Sequence, residues 1–172
     1  MQHLDTLHTL AEVAAAFAGF TGIVVVLGRG SIAEWRSVDK ATVSLLLASS
    51  LAVVFFGFLP DVTVAAHLSP ASSWRVSAFL FASYQLVVFL GAIRTHRRGL
   101  ALGEISSSQH LSRLPAILGG PLVIGAMFIT AAGLLESWLF LSYLLGMLWL
   151  LGMATLMFSI LLLEAASSEP DA

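Results

Sequence analysis

Asp5, His8 and Glu12 stand at i, i+3 and i+7, a spacing that puts three side chains on one stripe of an α-helix. Carboxylates and imidazoles so grouped are ordinary ligands for a divalent cation or stations for a proton. Asp61 and His67, from a loop further on, extend the set to an expected outer cation or proton site of Asp5, His8, Glu12, Asp61 and His67. No Glu-x-x-His repeat completes a cage, so no metal is assigned. The competing reading is a wet helix end with scattered polar groups.

Glu12 is singular because of its surroundings, "LAEVAAAFAGFTGIVVVLGRG" from Leu10 onward, which are apolar and rich in tiny residues. At about 1.5 Å of rise per residue it falls roughly 10 Å from the centre of the apolar run, inside the edge of a bilayer's hydrocarbon. A bare carboxylate is expensive there and turns towards protein, water or a cation. Arg75 is the single basic residue expected at the same end, so a buried Glu12–Arg75 pair is predicted. Ala15 with Gly19, and Ala18 with Gly22, form two interleaved small-xxx-small pairs that let another helix approach closely. Ser142 and Gly146 form a weaker face of the same kind.

A third group is neutral. Thr21, Ser49, Ser50, Tyr84 and Gln85 fall at similar depth in their apolar runs. Such residues tie helices together by hydrogen bonds or line a water-filled path. With no Asp, Glu, Lys or Arg at the centres of these runs, a voltage sensor or a carboxylate proton relay is disfavoured, and a passive conduit ranks above an ion-coupled transporter.

Catalytic and nucleotide motifs do not assemble. Gly28-x-Gly30-x-x-Ala33 has the opening spacing of a dinucleotide fingerprint, but the region after it is a long apolar run with no room for a strand–helix–strand unit. There is no His-Glu-x-x-His, Gly-x-Ser-x-Gly or phosphate loop. With no Cys there are no thiolate ligands or thiol nucleophiles. The sequence therefore implies no enzyme and no cofactor, and the net charge of −2 gives no reason to expect nucleic acid.

The elements that must carry these residues are membrane helices. Hydrophobic residues make up 58% of the 172-residue chain and charged ones 10%, with a mean hydropathy of +0.94; soluble domains run near 45–50% and about 25%. Apolar windows of about 20 residues fall near 10–28, 41–60, 74–94, 115–135 and 138–163, predicting one all-α domain of five transmembrane helices over 1–164, with a disordered tail over 165–172. Seven of the eight basic residues share one side: Arg29, Arg36, Lys40, Arg94, Arg97, Arg98 and Arg113. Basic loops stay cytoplasmic, so the N-terminus is expected outside and the C-terminus inside, in an inner (plasma) membrane of bacterial type. The first ten residues lack Lys and Arg, so the first helix is read as retained.

Trp35, Trp74 and Trp138 fall at predicted interfaces. Ser31–Glu34 and Ser106–Gln109 have capping-box spacing for short cytoplasmic helices, and Pro115 suits the first turn of the fourth span. Pro60 is expected to end or kink the second span, and Gly119-Gly120-Pro121 to kink the fourth. The Arg94–Arg113 loop could bind anionic lipid, although the same charges are sufficiently explained as topology signals. "VVVLGR" and "VVFLGAIR" echo each other, as any outward-to-inward span would. The functional expectation is a homo-oligomeric channel or passive permeation pathway; the alternative is a non-catalytic packing or regulatory subunit of a membrane complex.

Overall fold

The computed structural model describes residues 2–27, 37–101 and 107–167, with side chains described over 4–23, 40–101 and 118–159. It is all-helical among the described residues: α1 (Gln2–Leu27), α2 (Ser37–Ala65), α3 (Pro70–Ala101), α4 (Ser107–Ala131) and α5 (Leu139–Ser167), with a 3-10 turn at Glu136–Trp138 leading into α5. Stretches of α2, α3 and α5 (Lys40–Ala65, Pro70–Ala101 and Glu136–Ser159) are long and apolar enough to cross a membrane, and α4 contributes a shorter apolar stretch, Leu118–Ala131. Arg29, Trp35, Arg36, the Ser31–Glu34 box, Ser106 and the tail beyond Ser167 lie outside the described residues, as do the side chains of Gln109 and Arg113.

Each helix runs past its predicted apolar window at one end or both, because a helix continues as long as its backbone bonds are satisfied and hydropathy does not end it, while α4 stops at Ala131, short of the predicted 135. Three boundary expectations change. α2 runs through Pro60 to Ala65, so the proline does not end it. α4 begins at Ser107, so the expected short cytoplasmic helix and the fourth span are one element with Pro115 inside it. Likewise α5 takes in residues to Ser167, part of the expected tail.

Sequential helices pack side by side, and α5 also lies against α2 and α3 and closes on α1. The core stripe of α5 reads Leu139, Tyr143, Met147, Leu150, Ala154 and Met157, all buried, a spacing of three and four that keeps one face inward. α3 answers with Ser77, Ala78, Phe81, Ala82 and Gln85. The centre is aromatic: Phe56 stacks on Phe81 at 4.5 Å between ring centroids, and Tyr143 meets Phe81 at 5.2 Å. The packed face of α1 is Leu7, Ala11 and Ala14. The small residue that admits it is Gly57 of α2, where a Cβ would stand 2.9 Å from the Cβ of Ala11.

Candidate functional site

Lys40, Arg94, Arg97 and Arg98 gather where α2 begins and α3 finishes, the basic end of the bundle; Asp5, Asp61, Arg75 and Glu136 belong to the opposite end. Tight packing fills the half with the aromatic centre. In the basic half α2, α3, α4 and α5 enclose a partly open cavity of about 370 Å³.

Two glycines shape its wall. At Gly119 a Cβ would collide with the indole of Trp149, and at Gly120 it would lie 2.9 Å from Phe89 Cε2. The Gly119-Gly120-Pro121 run expected to act as a kink therefore seats two aromatic side chains against the α4 backbone, and the helix is continuous through it. Ser44, Gly91 and Thr95 line the cavity and are themselves exposed, which puts the mouth between α2 and α3. His96, within the stretch 94–113 expected to form a loop, is a buried lining residue inside α3.

Gln85 is the polar group at the deep end, 3% exposed and one turn from Phe81. Its Nε2 donates to the Gly146 carbonyl at 3.1 Å. Its Oε1 is buried and accepts no hydrogen bond from the described residues. Gly146 is obligatory for this contact, since a Cβ there would stand 2.6 Å from Met127 Sδ and 3.0 Å from Gln85 Nε2.

The expected polar layer does not line one path. Ser49 and Gln85 face the cavity. Tyr84 donates its hydroxyl to the Ala48 carbonyl at 2.9 Å, Thr21 donates to the Phe17 carbonyl of its own helix at 2.8 Å, and Ser50 is fully buried with no partner for its Oγ among the described residues.

The predicted Glu12–Arg75 pair is replaced by another. The Arg75 guanidinium lies on Glu136 of the turn before α5, and Glu12 is exposed on α1. The reason is rotational: the inward face of α1 passes through Ala11 and Ala14, which turns Glu12 away from α3. Of the expected outer cation site the fold joins two members, His8 Nε2 and Asp61 Oδ2 at 2.7 Å, with His8 stacked on Phe58. Asp5 is exposed on α1 and His67 lies exposed in the α2–α3 turn at φ 65°. Among the described residues no three His, Asp or Glu side chains come together to hold a metal ion. Among the described residues no helix packs on the small pairs Ala15–Gly19 and Ala18–Gly22, for a Cβ at either glycine would meet nothing within 4 Å. Ser142 and Gly146 do sit in a close contact, Ser142 sharing a 2.7 Å hydrogen bond with Thr130.

No protein-family model matches the chain, and neither a curated protein nor a solved structure matches it.

Proposed function

We propose that the chain is a five-helix integral protein of an inner (plasma) membrane, N-terminus outside, that takes a small, largely apolar molecule from the bilayer into the cavity between α2, α3, α4 and α5. The cavity carries this reading. The cavity is partly open and lined mostly by apolar side chains, so in a bilayer it is filled by a lipid chain or by an apolar molecule that displaces one. The basic end is cytoplasmic under the positive-inside rule, so the mouth between Ser44 and Gly91 opens sideways in the inner leaflet. Exposed Arg94, Arg97 and Arg98 at the same level hold anionic lipid headgroups, each worth roughly 1 kcal/mol near the surface.

Equilibrium dialysis of 2-methoxynaphthalene against lipid nanodiscs with and without the protein tests the reading. Saturable binding that Gly91→Phe abolishes is the expected result. Gly91 lines the cavity at its mouth and a Cβ there meets nothing within 4 Å, so the new side chain starts without a clash. Uptake no greater than that of empty nanodiscs would refute cavity binding.

A homo-oligomeric conduit is the second reading, and the outward face of α1 favours it. Glu12, Ala15 and Gly19 are all exposed there, a carboxylate beside a small face that hydrocarbon alone would cover at high cost. Liposome flux altered by Glu12→Gln or Gln85→Leu would support it; no flux from a well-folded oligomer would set it aside.

A further inference from the structure

The ligand's chemistry can be narrowed by the unpartnered oxygen of Gln85, an inference that rests on the cavity-binding reading. Gln85 lines the cavity, is 3% exposed, and has its Nε2 committed to the Gly146 carbonyl. That bond fixes which end of the amide is the oxygen, because a flipped amide would set oxygen against oxygen. Oε1 remains a buried acceptor without a donor among the described residues, and an unmet buried acceptor favours any ligand that brings one. Oε1 is covered in the structure, so meeting a donor in the cavity requires the amide to turn about its terminal torsion, which is broad in glutamine.

The donor is neutral. No Asp or Glu lines the cavity, so a cation would be buried without a counter-charge, and Arg94, Arg97 and Arg98 near the mouth repel it. An anion would be buried among apolar walls against an acceptor oxygen. The flanking surfaces, Phe89 and Trp149, are planar and apolar. We propose that the cavity selects a small apolar, preferably aromatic, molecule bearing one hydroxyl or N–H group, donated to Gln85 Oε1.

Binding of 2-naphthol and of 2-methoxynaphthalene to the full chain in nanodiscs tests this, since the two share an aromatic body and differ in the donor. After correction for uptake by empty nanodiscs, wild type should prefer the naphthol by about tenfold, the ratio that one ordinary hydrogen bond supports. Gln85→Met should remove the preference while keeping methoxynaphthalene binding, and Gly91→Phe should remove binding of both. Should Gln85→Met fail to fold, Gln85→Glu, whose carboxyl in its neutral form donates its O–H to the Gly146 carbonyl and keeps one acceptor oxygen, should retain the preference. Equal affinities in wild type, or a preference that survives Gln85→Met, would overturn the donor assignment and leave cavity binding standing. Absence of saturable binding by both compounds would overturn the two together.

Discussion

Tyr143 donates its hydroxyl to the main-chain carbonyl of Phe56 across 2.6 Å. That carbonyl is four residues before Pro60, which lies inside α2 and has no amide hydrogen to give it. The phenol of α5 thus replaces the helix bond that the proline removes, which is how α2 continues past Pro60 without a buried orphan.

Tyr143→Phe should destabilise the protein by about 1–3 kcal/mol, the cost of an unmet buried carbonyl. In a Pro60→Ala background, where the amide of residue 60 can serve Phe56, the same substitution should cost much less. A denaturation cycle in detergent reads the coupling. Equal costs in both backgrounds would mean that the hydroxyl acts independently of the proline.

The Arg75–Glu136 contact ties α3 to the turn before α5, over Gly133 at φ 83°. Both side chains are well exposed, at 42% and 63%, so their coupling should be under about 1 kcal/mol and weaken with salt. In double-mutant cycles, Arg75→Gln should couple to Glu136→Gln and be additive with Glu12→Gln. Coupling to Glu12 instead would restore the pair expected from sequence.

Gly146→Ala should cost about 1–3 kcal/mol by overpacking, because its Cβ would stand 2.6 Å from Met127 Sδ. Gly19→Leu has open space around its Cβ and should leave the monomer's unfolding unchanged. If α1 is the face that binds a second copy, the Gly19 variant should run as a smaller species in analytical ultracentrifugation. An unchanged mass would place any oligomer interface elsewhere.

His8 bonds Asp61 at 2.7 Å and pins the start of α1 to the finish of α2. Asp61→Asn should speed amide exchange in the first turns of α1 while leaving exchange around Phe81 and Gln85 as in wild type. Because His8 and Asp61 gather no third ligand among the described residues, added zinc should not raise the melting temperature. Stabilisation by zinc that Asp61→Asn abolishes would revive the cation site.

Composition and the spacing of apolar runs determine that the chain is helical and suited to a membrane, because long uncharged stretches cannot satisfy their backbone in lipid except as helix or closed barrel. Spacing also made Gln85 stand out, as a polar group in an apolar run does at any rotation of its helix. The rotation of each helix was decided only by tertiary packing. α5 is apolar on all sides, so nothing in its sequence marks the stripe from Leu139 to Met157 as the buried one. α1 illustrates the consequence, since Ala11 and Ala14 rather than Ala15 and Gly19 face inward, and Glu12 turns away from Arg75 with them. The cavity is likewise a product of packing, made where Gly119 and Gly120 let Trp149 and Phe89 sit against α4, because an empty volume belongs to the space between helices and has no residues of its own in the chain.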